Sequence, residues 1–238
     1  MKKFIVLAMS LLLILSMGNI AFARNYVQID LSYVGDFYTT SSGSGNRTSD
    51  ISIGLSGEMN IINAFSLNAN IGVVFDNFTE LQRGNVDYKE NVLSLDATLI
   101  GKYFVVNSGI FDLALGAEIN YINEALNIPD FSLNTLNLGL GIYASVNISS
   151  KLNLYGSVSL PMANLSWGQY DSNEKYTSGS FSFGSPTLVL GAKYSIFANF
   201  FLGFELANFQ SAPQQMMISA LPPTNREFSA KLMFGMNF

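Results

Sequence analysis

The chain contains no cysteine and no histidine. Without cysteine there is no disulfide, no thiolate nucleophile and no lipid-attachment cysteine. Without histidine, every mechanism that needs an imidazole base or ligand is excluded, and no metal or redox cofactor is expected. Charge is scarce as well. Asp, Glu, Lys and Arg make up 12% of the 238 residues, where a soluble domain carries roughly a quarter. Phosphate-binding loops, dinucleotide-type glycine patterns and carboxylates at calcium-loop spacing are also missing. The formal net charge is −5 and the charges are scattered, so nucleic acid is excluded as a partner.

Long apolar runs are confined to the first residues. Lys2 and Lys3 precede an almost wholly apolar stretch from Phe4 to Met17, and Ala21-Phe22-Ala23 supplies an A-x-A pattern. This predicts a cleaved secretory signal over 1–23 and a single domain over 24–238. The competing reading, an uncleaved anchor helix, suits the run poorly because it is short and no stop-transfer pattern follows. Beyond residue 23 no helix-length apolar run appears, yet 49% of the residues are hydrophobic and mean hydropathy is +0.28. Strands that face lipid resolve that conflict, because only every second residue must then be apolar.

Period-two alternation is what the chain does have. About ten stretches show it. Phe65, Leu67, Ala69, Ile71, Val73 and Phe75 oppose Ser66, Asn68, Asn70 and Gly72. Phe228, Ala230, Leu232, Phe234, Met236 and Phe238 oppose Ser229, Lys231, Gly235 and Asn237. Around Ser185-Pro186 the phase slips by one, which predicts a bulge or a late strand start. The stretches run about 9 to 13 residues, enough for a tilted strand to cross a bilayer. Their connections alternate: 39–49, 77–91, 122–132, 161–180 and 209–226 are long, while 60–64, 104–109, 147–151 and 195–199 are short. The expected fold is an all-β, antiparallel, up-and-down transmembrane barrel of about ten strands, or eight if the irregular segments are miscounted.

Leader, alternation, loop asymmetry and the closing Phe238 together resemble the bacterial outer-membrane β-barrel proteins, the small OmpA-, OmpW- or porin-like barrels. That resemblance covers the whole mature chain and is architectural. It implies an outer-membrane location, contact with outer-membrane lipid, and an assembly signal at Gly235 and Phe238 read by the barrel-assembly machinery. Outer-membrane proteases, phospholipases and lipid A modifying enzymes share this architecture, and the mechanisms considered use a histidine. A non-enzymatic protein is therefore expected. A soluble sandwich or lipocalin-like barrel would turn the oily face inward; strand length, loop asymmetry and two aromatic bands argue against it. Those bands are Phe65, Tyr103, Phe111, Tyr194 and Phe200 toward the short turns, and Phe37, Phe75, Tyr121 and Phe228 toward the long loops.

The polar face is rich in small residues, with Tyr143, Tyr155 and Phe201 as its candidate bulky members. Its charges are Asp30, Glu58, Asp96, Lys102, Asp112, Glu118, Lys193, Glu205, Glu227 and Lys231, seven acids against three lysines. Three pairings suggest themselves: Lys102 with Asp112, Lys193 with Glu205, and Lys231 with Asp30. Interior ion pairs bracing the wall are expected ahead of a substrate-selecting ring. An open lumen would prefer cations weakly. In the connections, Trp167, Tyr170 and Tyr176 within 161–180, and Met216 and Met217 within 210–225, are candidates for binding a surface ligand. Three functions stay open: a narrow, weakly cation-preferring diffusion channel, a non-conducting structural or adhesion barrel acting through its loops, and passage of small hydrophobic molecules.

Overall fold

A computed structural model describes residues 25–38, 47–83, 86–124, 131–170, 174–181, 186–197, 199–209 and 225–238. The expected leader lies outside the described residues, as do Met216 and Met217. The elements are β1 (Tyr26–Tyr38), β2 (Arg47–Ile62), β3 (Phe65–Arg83), β4 (Val86–Asn107), β5 (Phe111–Glu124), β6 (Phe131–Asn147), β7 (Leu152–Tyr170), β8 (Glu174–Phe181), β9 (Thr187–Ser195), β10 (Phe200–Phe209) and β11 (Asn225–Asn237). Each strand pairs antiparallel with its neighbours, and β1 pairs with β11 along its length, so the sheet closes on itself. Closure pairs the wall strands on both sides, as a bilayer demands, with the exception of β8, whose pairing is with β7.

Eleven strands occupy ten places in the wall. The lower part of β7, Leu152–Ser159, pairs with β9, and its upper part, Ala163–Tyr170, pairs with β8. β8 and β9 thus share one wall position, β8 ending at Phe181 and β9 starting at Thr187, just after the Ser185-Pro186 phase slip in the sequence. The fold is the outer-membrane barrel architecture that the alternation predicts: Ile29, Leu31, Leu115, Leu140, Leu190 and Leu232 stand exposed on the outside, while Gln28, Asp30, Ser66, Ser94 and Asp112 are buried inside. An exposed apolar exterior around a polar interior is stable only with lipid outside.

Two segments read as long loops are largely strand. Thr79–Arg83 pairs with Val86–Glu90, and β7 runs on through Trp167 to Tyr170. The sequence concealed the second extension because Met162 is inserted as a bulge: Gly139 faces Pro161, but Leu138 faces Ala163. One extra residue exchanges inside and outside in a period-two pattern. Apolar outward positions are even below the bulge (Leu154, Val158) and odd above it (Leu165, Trp167).

Four short turns lie at one end, three of them within the sequence ranges expected for them and the fourth, 108–110, one residue past the expected 104–109. They follow β2, β4, β6 and β9. Gly109, at φ +78°, takes the left-handed conformation that closes the β4–β5 turn. Outward aromatics band both ends. Tyr103, Phe111, Tyr194 and Phe200 are exposed near the short turns, and Phe200 stacks on Phe234 at 5.9 Å. Near the other end Tyr33, Phe75 and Phe228 are exposed, and Tyr121 stacks on Trp167 at 6.2 Å.

Candidate functional site: the lumen and its floor

Bulky inward side chains need room on a concave wall, and glycines supply it. Tyr155 faces Gly191 directly across β7 and β9, and Phe201 faces Gly235 across β10 and β11. A Cβ on Gly191 would fall onto the Tyr155 ring. A Cβ on Gly235 would fall onto the Phe201 ring and within 2.7 Å of the Val27 carbonyl oxygen. Gly235, expected as part of an assembly signal, therefore also has a packing role: it lets Phe201 lie flat against the wall. Gly235→Val is expected to cost about 1–3 kcal/mol by overpacking, read from the urea midpoint of the reconstituted protein. A midpoint equal to wild type would show that Phe201 does not rest there.

These rings belong to one cluster inside the short-turn half of the barrel, which we call its floor. Phe201 and Met233 are each only 2% exposed although both point inward. Tyr26 meets Phe201 edge-on, with centroids 5.9 Å apart and planes at 87°. Lys193 sits among them. Its ammonium lies 3.5 Å from the centroid of Tyr26, 4.9 Å from Phe201 and 5.5 Å from Tyr155. Three aromatic faces around one ammonium form a cation–π cage, which holds a charge that water no longer surrounds.

Around the cage the lumen charges pair, but not as the sequence suggested. Lys102 reaches past Ser66 on β3 to Glu58 on β2, with Nζ to Oε2 at 2.8 Å. Ser66 Oγ donates to the other oxygen of Glu58 at 2.7 Å. The side chain that separates them on the wall is small, so it bridges instead of blocking. The expected partner of Lys102, Asp112, instead accepts a bond from Ser145 Oγ at 3.1 Å. Lys231 pairs with Glu205, directly opposite it across β10 and β11, at 3.1 Å. Glu205 also accepts from the Tyr155 hydroxyl at 2.8 Å, which ties the cage to the ion pair. The expected pairing of Lys193 with Glu205 is replaced by the cage. Asp30, expected to meet Lys231, accepts from Gln28 Nε2 at 2.8 Å and Ser56 Oγ at 2.6 Å.

Above the floor the wall carries amides. Asn164 donates to Asn137 at 2.7 Å, Asn137 to Asn120 at 3.1 Å, and Asn120 to Asp96 at 2.7 Å. This ladder crosses β7, β6, β5 and β4 and ends on a carboxylate. Each amide spends a donor on the next carbonyl oxygen, so the row is directional. Glu118 stands nearby, in a long 3.5 Å contact with the Tyr143 hydroxyl. The sequence offered no signal for the ladder, since its members lie on four strands and only the register aligns them. Tyr26 was missed because it precedes the first alternating residue by one.

Trp167 is on the wall, not in a loop. It packs with Tyr121 on the outer face, where Asn134 accepts from both Tyr121 Oη at 2.7 Å and Asn123 Nδ2 at 2.6 Å. The side chains of Phe37, Tyr170, Tyr176 and Glu227 lie outside what the structure describes. Phe238 is exposed, and its N–H bonds the Asn25 carbonyl at 2.9 Å.

No protein-family model matches the chain, and no curated protein matches it in sequence. Among solved structures the chain is similar to an outer-membrane channel of Pseudomonas putida F1, with 9% identity over 93% of this chain and 98% of that one, and a TM-score of 0.49. It is also similar to the translocator domain of the autotransporter NalP from Neisseria meningitidis, with 12% identity over 99% and 96% of the two chains and a TM-score of 0.44. A third similarity is to Ail, the attachment invasion locus protein of Yersinia pestis, with 8% identity over 90% and 99% of the two chains and a TM-score of 0.37.

Proposed function

We propose that this chain is a non-enzymatic, integral outer-membrane barrel whose lumen is sealed at the short-turn end, and that it acts through its surface and not as an open diffusion pore. One observation carries this reading. Phe201, Tyr155 and Tyr26 gather around Lys193, with Met233 beside the Tyr155 hydroxyl, and the Lys231–Glu205 and Lys102–Glu58 pairs lie on the same inner wall. A ten-strand barrel is close in width to the eight-strand case, whose interior side chains can fill, and here the inward side chains include bulky aromatic rings. What remains accessible is a polar cup above the floor, lined by the amide ladder and Asp96.

The channel reading needs that floor to move. If it opened, the path would pass Asp30, Asp96 and Glu118, and the current would lean toward cations. Passage of hydrophobic molecules rests on 210–225, of which 210–224 lie outside the described residues, and surface binding through Met216 and Met217 rests on the same segment.

The test is single-channel recording in a planar bilayer, after a heat-dependent shift in gel mobility shows that the barrel is folded. Wild type is expected to stay silent over ordinary voltages. Steady, discrete, cation-leaning steps would overturn the sealed-lumen reading and favour the diffusion channel.

A further inference from the structure

The four short turns hold ordinary turn residues such as Asn63, Ser108, Gly109, Ser149 and Asn199, but large exposed apolar side chains stand in them or next to them. Ile62 is 60% exposed, Ile110 69%, Ile148 58% and Phe197 71%. Turns that face water are normally built from Gly, Asn, Asp, Ser and Pro. Two bulges carry the oily face down to these tips. The register shifts at Ile61, so that Ile62 faces the outward Phe65, and again at Val105, so that Val106 faces Leu113. Each bulge adds one more exposed apolar residue, Ile61 or Val105, at the rim. The lipid-facing belt therefore does not stop at the aromatic band; it continues around the ends of the hairpins.

Several polar groups of these turns bond within the rim. Asn107 Nδ2 donates to the Asn63 carbonyl at 2.8 Å, and Asn147 Nδ2 to the Gly109 carbonyl at 2.6 Å. Asn153 Nδ2 reaches Asn147 Oδ1 at 2.7 Å, and Ser149 Oγ accepts from the backbone N–H groups of Lys151 and Leu152 at 3.2 and 3.1 Å. Side chains of one hairpin thus satisfy backbone of the next, which is what a turn leaving bulk water requires. Charge agrees. Residues 63–64, 108–110, 148–151 and 196–199 contain no acid, although the chain has 17, and their one charged residue is Lys151. A lone lysine on a long stem can hold its ammonium at the phosphate level while the stem stays in lipid.

We propose that the short-turn rim is a phospholipid-binding surface: the tips at Ile62, Ile110, Ile148 and Phe197 sit in the glycerol and upper acyl region of the facing leaflet, with Lys151 at the phosphates. The occupant is lipid and not a periplasmic protein, because the tips are continuous with the lipid-facing wall and lack the charged groups that would fix a protein partner's register.

The inference rests on the membrane-barrel reading, so its test carries a control inside the belt. Trp167 is the only tryptophan, and Trp167→Phe gives a silent background. Ile110→Trp and Phe197→Trp are made singly in it, with Leu31→Trp, on the exposed wall of β1, as the control. The full chain is expressed, purified from the membrane and reconstituted in phosphatidylcholine vesicles. Emission is read with lipid brominated on the acyl carbons nearest the glycerol, and separately with aqueous iodide. Both tip tryptophans are expected to emit blue-shifted, to lose most of their intensity to the brominated lipid, and to resist iodide. Water-like emission at the tips, quenched by iodide as freely as in urea-unfolded chain, with Leu31→Trp still lipid-quenched, would overturn the rim proposal and leave the barrel reading standing. If Leu31→Trp were also water-exposed in a folded chain, the membrane reading itself would fail.

Discussion

Alanine at both Tyr155 and Phe201 is expected to turn a silent barrel into a conducting one. These two rings form two of the three walls of the Lys193 cage, and each lies over a glycine that cannot fill the space left behind. Truncation therefore leaves a gap in the floor, where an ordinary core would close partly around it. Lys193 would keep only Tyr26 as an aromatic partner, and water would reach its ammonium. Steady current should appear at low voltage, and in a salt gradient the reversal potential should lean toward cations, because Asp96 and Glu118 line the path above. Cavity formation costs about 3–5 kcal/mol for each large aromatic removed, so folding is verified first by gel mobility. Should the double variant fail to fold, Phe201→Ala alone serves, with smaller or flickering steps expected. A folded variant that remains silent would show that the lumen is sealed elsewhere.

Lys102→Met is expected to lower stability by about 3–5 kcal/mol, because it strands Glu58 inside the wall without its cation. The side chains of Lys102 and Glu58 are only 13% and 11% exposed, so solvent replaces the lost partner poorly. Ser66 still donates to Glu58, but one hydroxyl does not neutralise a carboxylate. The double variant Glu58→Gln, Lys102→Met should recover most of the loss, since no uncompensated charge remains. Urea unfolding followed by Trp167 emission measures all three chains. A single variant that loses no more than an exposed pair would, about 1 kcal/mol or less, would mean that water enters the floor freely. That result would also weaken the sealed-lumen reading, so the two experiments test it independently.

Strand existence was legible because its signal is local. Leu31, Leu95, Leu115, Leu140 and Leu190 each sit in a run whose period is fixed by the pleat, whatever the strand pairs with. Legibility failed where a single inserted residue broke that period. Met162 exchanged inside and outside in mid-strand, so Trp167 was assigned to a loop when it stacks on Tyr121 in the outer wall. Next to it, Pro161 reads as a strand terminator but occupies a ladder position at the bulge. The bulges at Ile61 and Val105 were hidden in the same way, and with them the apolar turn tips.

The residues by themselves determined the class of the molecule. Scarce charge, missing histidine and cysteine, and alternation without helix-length apolar runs leave a barrel wall with lipid outside as the consistent solution, and they name the inward charges and the bulky Tyr143, Tyr155 and Phe201. Only the tertiary structure decided which of those charges meet. Lys102 and Glu58 are 44 positions apart and on strands that do not pair, with β3 between them. What joins them is the register of two successive ladders, which brings Lys102 of β4 and Glu58 of β2 to one level on either side of the small Ser66 of β3. The Lys193 cage arises in the same way, from β1, β7 and β10 around a lysine of β9. Sequence pattern records which face a residue is on; it does not record how far each strand is slid along the next, and the chemistry of this floor depends on that slide.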